Sequence, residues 1–297
     1  MEPASGTVKR QTVIYGTAHS LQTLQLTLIN PGTHPNKNKL FIIYIHGGAW
    51  RDPLQSSADF DAAMELILKD EELRSRIAGL AAVNYGLSPT PSEPSDDVGR
   101  NYVHPQHIED VRLALDWLSA NHAVGSANGW GYVLVGHSCG ATMAFQIPAE
   151  VERNSRSFGS PRAVVGIEGI YDLPLLVKNH ENILEYRQFV EGAFGKDERA
   201  WSDASPALQP SNLKTLLQKI DVVVIAHSSE DELVELEQPE VMTAALMVAF
   251  KETPRVVDST PVFRVGLTGT HDEVWQQGHG VYKAVAFTIE KILDDRR

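Results

Sequence analysis

The chain has 297 residues, 42% of them hydrophobic, with a formal net charge of -12 and a pI near 5.4. That apolar content over that length fits one α/β domain across residues 1–297, with a sizeable core, better than two small unrelated ones. The acidic balance argues against nucleic acid as a partner, since phosphate binding needs clustered Lys and Arg, and no apolar run approaches the ~18 residues of a membrane span.

Met1-Glu2-Pro3-Ala4-Ser5-Gly6 lacks the basic and apolar regions of a secretory leader, so a cytoplasmic protein away from the membrane is expected. The one cysteine, Cys139, rules out an intramolecular disulfide and suits a reducing compartment. Residues 23–28 read as the first strand and the apolar run 41–45 as the second, followed directly by His46-Gly47-Gly48-Ala49-Trp50. A third strand covers 77–84, and 88–100, with Pro89, Pro91 and Pro94, reads as a loop. A helix over 107–121 places Val111, Leu115 and Leu118 on one face.

Further on, strands are expected at 132–135, 163–168, 222–226 and 261–265, and helices at 141–152, 237–250 and 280–293. Strands alternating with helices imply a mostly parallel sheet covered on both faces. Between 173 and 220 the pattern is helical pieces with breaks at Ser205-Pro206 and Gln209-Pro210.

The chemistry centres on Gly136-His137-Ser138-Cys139-Gly140, which stands between an apolar strand and an apolar helix. Chance alone places a G-x-S-x-G in roughly one chain in ten of this length, so its setting matters more than its letters. Strand, tight turn and helix with serine at the apex is the nucleophile elbow of an α/β-hydrolase. In that fold 173–220 is expected to form a cap-like insertion carrying part of the substrate pocket.

His46-Gly47-Gly48-Ala49-Trp50 fits an oxyanion loop, because glycines let a substrate carbonyl approach backbone N–H groups closely. The N–H groups of Gly48 and Ala49, joined by that of Cys139, are assigned to the oxyanion hole. His46 is expected to brace the loop through a hydrogen bond, and Trp50 either to line the pocket or to pack the loop down. Cys139 reads as a small residue packed beside the elbow.

The triad acid should follow a late strand, which selects Asp231, with Glu230 as nearest rival and Asp203 and Asp172 as more distant ones. The base should follow the last strand, which selects His271; His104, His107 and His227 could touch the pocket without being the base. His271 would then take the Ser138 proton, with Asp231 holding the imidazole in the required tautomer. The spacing offers no H-E-x-x-H or comparable ligand set, so no metal or other cofactor is expected.

His46-Gly47-Gly48-Ala49-Trp50 running into Arg51-Asp52-Pro53, together with the elbow and the Asp231 and His271 loops, resembles the kynurenine formamidases of fungi. The resemblance runs from about the first strand to the last helix. It implies hydrolysis of N-formyl-L-kynurenine to L-kynurenine and formate, in tryptophan breakdown and NAD synthesis. It also implies a tight acyl side and an arylamine side for which Trp50, Tyr85 and Tyr102 are aromatic candidates. A short-chain carboxylesterase with the same triad is the nearest alternative, and a non-catalytic hydrolase-fold binding module the alternative of another class. The expected partner is a small-molecule substrate, and a homodimer is left open.

Overall fold

The computed structural model describes residues 7–36, 38–90, 95–153, 158–253 and 261–294. The start of the chain (1–6), Pro91 and Pro94 lie outside them. Among the described residues eight strands form one sheet: β1 (Val8–Ile14), β2 (Thr23–Ile29), β3 (Leu40–Ile45), β4 (Ile77–Val83), β5 (Gly131–His137), β6 (Ala163–Ile167), β7 (Val222–Ser228) and β8 (Val262–Leu267). Their order is β1-β2-β4-β3-β5-β6-β7-β8, with β1, β2 and β4 paired antiparallel and every pairing from β4 onward parallel.

The sheet is buried on both faces, which is why its central strands read as unbroken apolar runs. In β3, Phe41, Ile43 and Ile45 join one core while Leu40, Ile42 and Tyr44 join the other. Helices α1 (Asp61–Lys69) and α2 (Glu71–Ser75) lie toward the second face. Helices α3 (Gln106–His122) and α4 (Cys139–Arg153) cover the first, through Val111, Leu115 and Leu118 of α3 and Met143 and Ile147 of α4.

Between β6 and β7 the chain makes α5 (Leu173–Asn179), α6 (Leu184–Phe194), α7 (Glu198–Ala204) and α8 (Pro210–Lys219). The prolines read as breaks are helix starts: Pro206 opens a short 3-10 turn and Pro210 opens α8, where a missing N–H costs nothing. Helix α9 (Glu237–Lys251) joins the first face, and α10 (Glu273–Gln276) and α11 (His279–Asp294) complete the second. No helix among the described residues is long and apolar enough to cross a membrane.

The strands expected from sequence are all present, with ends that differ by one or two residues: those at 77–84 and 163–168 stop one residue early, and the others run on at one end or both. β1 is additional. It is an edge strand in which Lys9 and Arg10 are exposed and Val13 alone is buried, so it carries no apolar alternation to read.

Candidate active site

Parallel strands deliver their C-terminal ends to one edge of the sheet, and the loops leaving β3, β5, β6, β7 and β8 meet there. Ser138 is the single residue between β5 and α4, at a left-handed φ of +54°. Such a backbone costs a non-glycine residue on the order of 1–2 kcal/mol, and its neighbours must hold it. A Cβ on Gly136 would stand 2.2 Å from the carbonyl oxygen of Gly140, and one on Gly140 would stand 2.2 Å from that of Ile45. The flanking glycines therefore let the turn close and α4 approach β3. The Ser138 N–H donates to the Ile167 carbonyl at 2.9 Å, tying the apex to β6.

His271 follows β8 and Asp231 follows β7. The His271 Nδ1–H donates to Asp231 Oδ2 at 2.9 Å, while Asp231 Oδ1 accepts the N–H groups of Leu233 and Val234, each at 2.9 Å. Both oxygens are thus fixed. Ser228 Oγ–H donates to the Gly269 carbonyl at 2.7 Å and joins the two loops. With Nδ1 committed, Nε2 is the ring nitrogen left to accept a proton. The rival acids are elsewhere: Glu230 is exposed, Asp172 caps α5 by accepting the Leu175 N–H at 2.9 Å, and Asp203 lies in α7.

A second carboxyl sits beside this pair. Glu168, directly after β6, has φ of +47° and no solvent exposure. Its Oε2 is 3.6 Å from His271 Nδ1 and 3.4 Å from His137 Nε2, and its Oε1 has no hydrogen-bond partner. Burial, and then the neighbouring Asp231 carboxylate, push its pKa to about 10, so at neutral pH it is an uncharged acid. His137 is likewise neutral, held well below the usual imidazole range by burial first and His271 second, and its Nε2–H donates to the His271 carbonyl at 3.2 Å.

The loop after β3 carries three successive left-handed residues, Gly48 (φ +93°), Ala49 (φ +48°) and Trp50 (φ +60°). His46 braces it as expected: Nδ1–H donates to the Gly47 carbonyl at 2.9 Å, and burial lowers its pKa to about 4, so it stays neutral. Cys139 does more than fill space. Its sulfur accepts the Trp50 N–H at 3.3 Å and so latches the loop to the start of α4. Burial lifts the thiol to about 11, which keeps it in the unreactive form. A Cβ on Gly47 would meet His137 Nδ1 at 2.8 Å and the Ser138 Cβ at 3.1 Å, so only glycine lets loop and elbow touch.

Gly48, Ala49, Ser138 and His271 line one cavity of about 470 Å³. The three aromatic residues expected there are not in its wall. Trp50 is buried and packs the loop onto α6, edge-on to Phe194 at 5.0 Å and tilted to Phe189 at 6.2 Å. Tyr85 is buried behind the loop, stacked on His46 at 4.3 Å, with its hydroxyl reaching the carbonyls of His46 and Gly47, each at 3.0 Å. Tyr102 packs edge-on to His19 at 4.8 Å. The aromatic wall comes instead from Tyr186 and Phe189 of α6, 5.5 Å apart, with the Tyr186 hydroxyl donating to the Leu233 carbonyl at 2.7 Å. Of the other histidines, His227 donates Nε2–H to the Val234 carbonyl at 3.0 Å, His107 pairs with Ser88 Oγ at 2.9 Å, and His104 lines a different cavity.

The BD-FAE family model matches residues 28–246. The kynurenine formamidase avaC of Aspergillus versicolor is 33% identical over 282 residues, covering 89% of this chain and 94% of its own. The chain belongs to the kynurenine formamidase family. The kynurenine formamidase-like hydrolase fscH of Fusarium equiseti is also 33% identical, over 93% of this chain and 92% of its own. Among solved structures, a fungal esterase of Rhizomucor miehei superposes with a TM-score of 0.65 at 16% identity, covering 97% of this chain and 85% of that one, which shows the α/β-hydrolase fold. A member of this family with that fold is an enzyme, a hydrolase.

His137, Glu168 and His271 bring one ligand atom each to within 4.8 Å of one another, the one such grouping among the described residues. The two ring nitrogens nearest Glu168 are already committed: Asp231 takes His271 Nδ1, and the His271 carbonyl takes His137 Nε2–H. Glu168 is in its neutral form, whereas a metal ligand must be deprotonated. The grouping fits a hydrogen-bonded support for the histidine better than a cation site.

Proposed function

We propose that this chain is a kynurenine formamidase that hydrolyses N-formyl-L-kynurenine to L-kynurenine and formate through a formyl-enzyme. Ser138 Oγ gives its proton to His271 Nε2 and attacks the formyl carbon. The tetrahedral oxyanion is received by the N–H groups of Gly48, Ala49 and Cys139. His271 then returns the proton to the departing arylamine. Water, activated by the same imidazole, attacks the formyl ester, and formate leaves as Ser138 regains its hydrogen. Asp231 holds the imidazole and stabilises its charged form. The insertion after β6 acts as the cap.

The observation that carries this reading is that Ser138 and His271 share one cavity with an aromatic wall, Tyr186 and Phe189, brought by the cap helix α6. An arylamine leaving group needs such a wall, while a formyl group needs almost no room on the acyl side. The test compares kcat/KM for N-formyl-L-kynurenine with that for a short p-nitrophenyl ester. We expect the formamide to be the better substrate; an ester better by orders of magnitude would favour the carboxylesterase alternative and leave the hydrolase in place.

A further inference from the structure

A short acyl ester would leave the charged side chains of this cavity without a task. Arg51, Asp52, Glu185 and Asp272 all line it. Two of them have local work: Asp52 Oδ1 accepts the Leu54 N–H at 2.9 Å, and Asp272 Oδ1 accepts the Trp275 Nε1–H at 3.1 Å. The other two do not. Among the described residues neither the Arg51 guanidinium nor the Glu185 carboxylate has a hydrogen-bond partner or a countercharge within ion-pair distance.

Arg51 is partly buried, and its guanidinium carbon stands 5.8 Å over the ring of Phe189, the residue that also walls the cavity. An aromatic face supports a guanidinium from one side and leaves its in-plane N–H groups free for a planar, bidentate acceptor such as a carboxylate. Burial lowers the Arg51 pKa, and Glu185 and then Asp52 oppose that by stabilising the charged form, so Glu185 is electrostatically coupled to it without pairing with it. Glu185 lies in the first turn of α6, one residue before Tyr186. A cationic and an anionic group, both unpaired, therefore flank the aromatic wall of a cavity whose catalytic residues are Ser138 and His271.

We propose that Arg51 and Glu185 form a receptor for a zwitterionic α-amino-acid head group, Arg51 taking the carboxylate and Glu185 the ammonium. This rests on the formamidase reading and extends it: the site selects aryl formamides that carry a free amino acid over those that do not. The head group is remote from the bond that breaks, and its two charges hold the ring against Tyr186 and Phe189 with the formyl carbon at Ser138. Both residues are positioning residues, and neither touches the reacting atoms.

The test uses the full chain and three substrates: N-formyl-L-kynurenine, its decarboxylated analogue N-formylkynuramine, and the deaminated acid 4-(2-formamidophenyl)-4-oxobutanoate. Arg51→Met should collapse the kcat/KM preference for N-formyl-L-kynurenine over N-formylkynuramine by about 10–100-fold, the worth of a charged hydrogen-bond pair. Arg51→Lys should lose less, because it keeps the charge without the fork. Glu185→Gln should instead collapse the preference over the deaminated acid. A preference that survives Arg51→Met, or equal losses on all three substrates, would overturn the receptor while leaving a working formamidase. A wild-type enzyme that cleaves p-nitrophenyl esters and none of the three formamides would overturn the formamidase reading itself, and the receptor with it.

Discussion

Ser138→Ala is expected to lower kcat on N-formyl-L-kynurenine by about 10⁶, the scale on which serine hydrolases lose turnover with their nucleophile. The fold should hold. Alanine, like serine, accepts the φ of +54° at this position only because the elbow is clamped, and the clamp uses the Ser138 N–H and the two flanking glycines rather than the hydroxyl. The variant should therefore keep its melting temperature, measured by circular dichroism, and still bind L-kynurenine. The residue of catalysis left should be the part due to binding and the oxyanion N–H groups, about 10³–10⁴ over water. Activity within tenfold of wild type would remove Ser138 as nucleophile. A lost fold would say instead that the hydroxyl is part of the clamp.

The elbow was legible in sequence because its requirements are local. Gly136 and Gly140 must be glycine for one turn to close around the apex serine, and the clash distances at both are those of backbone on backbone. The pairing of Asp231 with His271 was legible for a related reason: in a parallel sheet each strand end points to the same edge, so chain order predicts spatial neighbours. The pocket wall was not legible. Trp50 is adjacent in sequence to the glycines of the loop after β3, yet its size makes it an anchor that pins the loop to α6, whereas Tyr186 and Phe189 reach the cavity through the packing of a helix more than a hundred residues later. Glu168 was hidden differently. It ended a predicted strand, where an acid usually turns to solvent, and only the placement of β6 between β5 and β7 buries it against His271. The signal that could have found it is a lone carboxyl closing an otherwise apolar strand that lies in the middle of the sheet.

Asp231→Asn is expected to cost about 10⁴ in kcat/KM at neutral pH, because an amide at this position turns the imidazole to the wrong tautomer. The loss should then shrink as the pH rises, and the reason is Glu168. In the wild-type site burial and the Asp231 charge together hold Glu168 neutral up to a pKa of about 10. Removing that charge leaves burial and the weaker influence of Glu232 and Asp272, so the carboxyl ionises at lower pH than before. Once ionised, its Oε2 stands 3.6 Å from His271 Nδ1 and can take over part of the orienting role from the loop after β6. The rate of Asp231→Asn should therefore climb with pH, while Asp231→Asn combined with Glu168→Gln stays flat at the floor; identical profiles would mean that Glu168 supports the site only by filling it. The same neutral carboxyl sets a stability trend. A folded pKa raised above the unfolded value near ~4.3 means that folding retains a proton the unfolded chain releases, so the fold is favoured fully below that value and loses the advantage steadily up to pH ~10. Glu168→Gln cannot titrate. Its melting temperature relative to wild type should rise steadily between pH 5 and pH 9, and a difference that does not change with pH would place the proton elsewhere.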